Sequence, residues 1–259
     1  MNAGKVAVVN FSSDLDDTDV NAIIGACQAQ LDEDVVPAWF AGAMSFGVMP
    51  KGSHIPPGMA GLGFFDTSDQ ADALAYHELT VDGLPLSKIF VKTTLENGGL
   101  VSVSASHEAV EMGVDPWLAA AYQISAKRWA AAELCDPCEA DVQAYLKGGV
   151  PVSNFILPGW YRVRHTGKVD HLGLCKGPLD ILAGGYAQFW EQRRGWWAEF
   201  GPNLPARSFA KHQLSKVQML SELGETVRAR TVVNPETRSE RILLGLHDPA
   251  RLSAYPVAP

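Results

Sequence analysis

The segment Ser106-His107-Glu108-Ala109-Val110-Glu111 reads HExxE, and on a helix His107 and Glu111 project from one face, one turn apart. The two histidines of an HExxH helix grip a metal ion with the same spacing, and here one letter differs. Glu108, beside the first of these residues, stands where a carboxylate can take a proton from a water that a metal has made acidic. Asp115 extends the stripe by another turn. Further on, Glu133 and Asp136 are three apart, suited to a third ligand and a partner that orients it or an alternative ligand. Seven His and thirteen Glu in 259 residues yield an HExxE by chance in roughly one such chain in fifty. Taken alone, the letters also fit a surface helix whose Glu108 and Glu111 are solvated.

A second chemistry is spelled by Cys135-x-x-Cys138, a spacing found in redox and zinc sites. The other cysteines, Cys27 and Cys175, are single and distant, so a zinc ribbon lacks its second pair. A thiol redox role requires a depressed pKa at Cys135 or Cys138; otherwise the thiols serve as small buried hydrophobes. Gly184-Gly185-Tyr186 lacks the spacing and the Lys of a phosphate loop.

These groups need elements to hold them. Lys5 to Phe11 is short, apolar and β-branched, as a buried strand should be. From a cap at Thr18, apolar residues at Val20, Ile23, Ile24, Cys27, Leu31 and Val35 mark an amphipathic helix that Pro37 closes. Gly42 to Gly63 reads as an irregular loop leading to a strand at Leu62 to Phe65. Ala73 to Leu79 and Ser87 to Thr94 form a hairpin about the turn Asp82-Gly83-Leu84-Pro85. The HExxE helix follows, capped at Ser102 or Ser104 and stopped by Pro116. Asp136-Pro137-Cys138-Glu139 has the letters of a capping box, which starts a second helix running to about Leu146. Val150 to Gly201 is loop-rich and aromatic, and its Trp190, Trp196 and Trp197 suit packing better than a ligand box.

The order strand, helix, strands, hairpin and HExx helix resembles the small α+β half of zincin-type metallopeptidases, whose edge strand lies above the active-site helix and aligns an extended substrate. His107-Glu108-x-x-Glu111-x-x-x-Asp115-Pro116, followed by Glu133-x-x-Asp136, is similar to a zincin-like group with HExxE, a DP dipeptide and a later ExxD. The resemblance spans about residues 5 to 200 and is strongest from His77 to Tyr161. It implies an α+β, zincin-like fold: a small mixed sheet with an edge strand above the active-site helix, then a loop-rich aromatic C-terminal half. It also implies that His107 and Glu111 are the first two metal ligands, Glu133 the third, and Glu108 the catalytic base. Asp115 and Asp136 become supporting or alternative ligands. The expected cofactor is one Zn2+, or another divalent ion, per chain. Glu111 in place of a second His makes the donor set harder and more negative. Tyr76 and His77 alternate on the edge strand, so one of them faces the cleft. His77 and Tyr161 are the candidates for substrate contact, with His165 and His171 nearby in sequence.

Composition bounds the reading. A formal charge of −8 makes a general nucleic-acid or anionic-membrane surface unfavourable, and no apolar run approaches the roughly 20 residues of a membrane span. The N-terminal residues carry no signal-peptide pattern, which sets the expectation of a cytoplasmic protein. Residues 1–202 are expected to form the zincin-like domain. Residues 203–259, with eight Lys+Arg against five Asp+Glu, are expected to form an appended basic tail, either partly flexible or with a short helix at Ser208 to Leu223 and a strand at Arg241 to Leu246. The function expected is metal-dependent hydrolysis of a peptide or protein substrate. The competing expectations are a zincin-like binding or assembly module without catalysis and, third, the thiol redox protein. The oligomeric state stays open.

Overall fold

A computed structural model describes residues 4–70 and 73–202; the expected appendage from residue 203 onward lies outside the described residues. Lys5–Asn10 (β1) is buried along all but its first residue, because it is flanked on both edges. Ser45–Val48 (β2) and Ala60–Phe65 (β3) both run parallel to it. A strand so enclosed needs a continuous apolar run rather than an alternating one. β2 falls inside the stretch expected to be irregular; at four residues with Gly47 in the middle, it is too short to show a period.

Between β1 and β2 lies α1 (Asp17–Gln30), capped by Asp16 rather than Thr18. The Asp16 carboxylate accepts from the Thr18 and Asp19 N–H groups, and Asp19 reaches back to the Asp16 N–H. The helix does not end at Pro37. It widens into a π turn at Leu31–Val35 and tightens again as α2 (Val36–Trp39), ending where Phe40 takes a left-handed φ of 49°. Pro37 is tolerated because it stands in the first turn of α2, where a missing N–H costs little.

Ala75–Leu79 (β4) and Pro85–Phe90 (β5) form the expected hairpin, with Ala75 opposite Ile89 and His77 opposite Ser87. β5 runs parallel to β3, so the sheet order is β2-β1-β3-β5-β4 with the antiparallel strand at the edge. The run after β5, expected to stay extended to Thr94, turns into α3 (Val91–Glu96). There the Thr94 hydroxyl donates back to the Phe90 carbonyl at 2.7 Å. Next comes α4 (Val101–Val114), whose N-cap is Leu100; its N–H donates to the Asp141 carboxylate at 2.9 Å, and the expected Ser caps lie inside the helix. Val101, Ala105, Ala109 and Met112 of α4 join the core against the sheet and α1. Val110, on another face, joins a second core with Leu31, Val35, Phe155, Trp160 and Phe189. A helix packed on both sides withdraws its polar residues from water as well.

The second half contains more strand than expected. Ala121–Ser125 (β6), Arg128–Ala131 (β7), Tyr186–Glu191 (β10) and Gly195–Phe200 (β11) make an antiparallel sheet ordered β11-β10-β7-β6. Tyr145–Lys147 (β8) and Val150–Val152 (β9) form a small hairpin. The helix expected from Asp136 to Leu146 is absent. Single 3-10 turns at Asp136–Cys138 and Asp141–Gln143 lead into β8, and no side chain caps the first of them. The aromatic residues pack: Trp190 meets Trp129 edge-on at 5.3 Å and Trp197 lies 5.8 Å from Phe189. The result is a mixed α+β fold. Among the described residues, no helix is long and apolar enough to cross a membrane.

Candidate metal centre

His107, Glu108 and Glu111 are 7%, 2% and 0% exposed, and Asp136 and His77 are 0% and 4% exposed. An ionised carboxylate withdrawn this far from water is costly unless a positive charge or several hydrogen bonds meet it. His107 sits among them. Its Nε2 lies 3.3 Å from Glu111 Oε1 and 3.2 Å from Asp136 Oδ1, and its Nδ1 lies 3.9 Å from Glu139 Oε2. Burial pulls the His107 pKa down, but the Glu111 and Asp136 carboxylates outweigh it and hold the imidazole well above its ordinary range.

His77 arrives from the edge strand β4. Its Nδ1 is 3.4 Å from Glu108 Oε2 and 3.9 Å from Glu111 Oε2. Strand alternation sends Tyr76 to the other face, where its hydroxyl meets Asp69 and Lys88 at 2.6 and 2.9 Å. Asp136 comes from the 3-10 turn after β7. The chain at Gly185 closes directly onto the Asp136–Pro137 backbone; a Cβ at Gly185 would stand 2.6 Å from the Pro137 carbonyl, so only glycine fits. The neighbouring Cys135 N–H donates to Glu111 Oε1 at 3.2 Å and ties this turn to α4.

Three groupings of ligand atoms, each within 4.8 Å of one another, result: His107 with Glu108 and Glu111, His77 with Glu111 and Glu133, and His107 with Asp136 and Glu139. This His/carboxylate cluster is geometrically poised to bind a divalent metal ion. His107 and Glu111 lie together one turn apart, Asp136 reaches His107 by a tertiary contact, and Glu133 groups with His77 and Glu111. His77, expected at the substrate, stands among the candidate ligands. Glu139, read as half of a capping box, faces His107 instead. No spacing rule could have found either, because both depend on tertiary contacts.

Other expected residues lie outside the three groupings. Asp115 is one of them; its two oxygens accept from the Ala119 and Ala120 N–H groups at 3.0 and 2.7 Å and order the turn after α4. Tyr161 is buried against Tyr122, and its hydroxyl donates to the Ala131 carbonyl at 2.8 Å. Burial, then the charges of Tyr122 and Glu133, push that hydroxyl well above its ordinary range. His171 stacks on Phe155, and His165 packs against Gly159. The thiol redox reading fails: Cys135 and Cys138 are fully buried, and burial in the first place, with nearby negative charge, raises both thiols well above their ordinary range.

No protein-family model, no curated protein and no solved structure gives a significant match to this chain.

Proposed function

We propose that the protein is a metal-dependent hydrolase of zincin-like arrangement acting on peptide bonds. One observation carries the reading: three almost fully buried carboxylates, Glu108, Glu111 and Asp136, converge on two imidazoles from separate elements. His107, Glu111, Glu133 and His77 are the residues that would hold the ion, a mixed imidazole and carboxylate set suited to Zn2+, Mn2+ or Fe2+. A divalent ion bound there supplies Lewis-acid chemistry, polarising a carbonyl and making water acidic near neutral pH. Glu108 takes the proton of the attacking water and passes it to the leaving amine. The edge of β4, without a further strand neighbour among the described residues, binds an extended peptide by main-chain hydrogen bonds beside α4. In this reading the peptide or protein substrate is the partner, nucleic acid and membrane are not, residues 1–202 are the catalytic domain, and the cytoplasm is its place.

A second reading has support in the depth of the site. With Glu108 and Glu111 at 2% and 0% exposure, a closed coordination shell would make the ion structural and the protein a binding or assembly module. Metal content of protein purified without chelators, compared with His107→Ala and Glu111→Gln, tests the centre. A peptide-library cleavage assay with Glu108→Gln as control then separates the readings: cleavage lost in that variant with metal retained supports the hydrolase, and metal without cleavage by the wild type supports the module. No metal in the wild type after incubation with Zn2+, Mn2+ or Ca2+ overturns both.

A further inference from the structure

Glu111 turns its two oxygens to different imidazoles: Oε1 lies 3.3 Å from His107 Nε2, and Oε2 lies 3.9 Å from His77 Nδ1. Each imidazole has further carboxylates of its own. His77 and Glu111 group with Glu133, while His107 groups with Asp136 and Glu139. His77 comes from the edge strand β4, and Glu133, Asp136 and Glu139 come from the segment that follows β7.

We infer that the centre is dinuclear, with one ion held by His77, Glu111 and Glu133 and a second by His107, Asp136 and Glu139, and with Glu111 bridging the two through its separate oxygens. The inference rests on the metal centre proposed above and adds to it the number of ions and the division of the ligands. Charge favours it. The five carboxylates Glu108, Glu111, Glu133, Asp136 and Glu139 carry a formal −5; one divalent ion leaves −3, and two leave −1. Glu108, Glu111 and Asp136 among them are almost wholly removed from water, where residual negative charge is costly. Bridging carboxylates suit ions about 3.5–4 Å apart, the separation at which two metals act together on one displaced group. The buried Glu108 Oε2, 3.4 Å from His77 Nδ1, has no hydrogen-bond partner, so an acceptor on the His77 side stays unmet beyond those that His107 engages. Glu108, adjacent to both sets, keeps its place as proton acceptor.

The test is titration of metal-free full-length protein with Mn2+, read as bound metal per chain by mass spectrometry after dialysis and as electron paramagnetic resonance of the bound ions. The expected result is two Mn2+ per chain with a spin-coupled spectrum. His77→Gln and Asp136→Asn should each keep one ion and lose the coupling, and Glu111→Gln should weaken uptake of both by more than about tenfold. Circular dichroism checks that each variant is folded; if one is not, the coupling in the wild type decides alone. One uncoupled ion per chain, lost in both single variants, overturns the dinuclear centre and leaves the mononuclear hydrolase standing. Two ions without coupling overturn the Glu111 bridge, and no bound ion overturns this inference together with the metal centre.

Discussion

His107 and Asp136 meet at 3.2 Å, Nε2 to Oδ1, at the seam where α4 crosses between the two hydrophobic cores. Neither can easily retreat. α4 is packed against the mixed sheet on one face and against the second half on the other, while Gly185 pins the backbone beneath Asp136. The pair is therefore built into a rigid part of the fold, which is what a site needs when sub-ångström placement of ligands decides affinity.

Metal should stabilise this protein strongly. A ligand that binds only the folded state adds about 2.7 kcal/mol at one hundred times its Kd, and about 2–4 °C per kcal/mol is usual for a chain of this size. Differential scanning fluorimetry of metal-free protein with and without Zn2+ or Mn2+ is expected to show a Tm increase of about 5–10 °C. His107→Ala and Glu111→Gln should abolish the shift. An unchanged Tm across all divalent ions would count against the centre.

Glu108→Gln separates binding from chemistry. The amide keeps the volume of the side chain beside His77 but cannot accept a proton. Peptide cleavage is expected to fall by about 10²–10⁴-fold while bound metal per chain stays as in the wild type. A variant with full activity would remove Glu108 from the role of base.

The part of this site that is readable from the chain is the part that is local. His107 and Glu111 are paired by helix geometry, so their spacing reveals them, and the β4–β5 hairpin is announced by Asp82-Gly83 between two apolar runs. Asp136 and Glu139 have letters that serve equally as a capping box, and only the approach of α4 decides that they face His107. His77 depends on the register of an edge strand against a helix more than twenty residues later, which no spacing rule contains. The same limit hid β10: five of its six residues are buried on both faces, so it shows no alternation and reads as an aromatic loop.

Asp115 gives a control in which stability moves and metal does not. Its carboxylate holds the Ala119 and Ala120 N–H groups at 3.0 and 2.7 Å. Hydrogen bonds to a charged group contribute about 1.5–3 kcal/mol, so Asp115→Ala is expected to destabilise by about 1–3 kcal/mol in urea unfolding. Bound metal per chain should not change. Loss of metal from a folded Asp115→Ala protein would return Asp115 to the ligands.

The four cysteines give a prediction in pH. All are buried free thiols, and burial pushes Cys27 from its ordinary 9.0 up to about 12, with Cys135, Cys138 and Cys175 also raised. In the unfolded chain these thiols lose their protons at lower pH than in the folded protein, so the folded state binds more protons in that interval. The linked stability is full below pH 9 and is lost as pH climbs toward 12. Urea midpoints should therefore fall between pH 9 and pH 10.5, and less steeply in Cys27→Ala corrected for its own loss of packing, roughly within the window cited for that thiol. At pH 8 a disulfide-exchange reagent should label the native thiols far more slowly than the denatured ones, because both exposure and thiolate are lacking. Rapid labelling of Cys135 or Cys138 in the folded protein would contradict their burial and reopen a thiol chemistry for that pair.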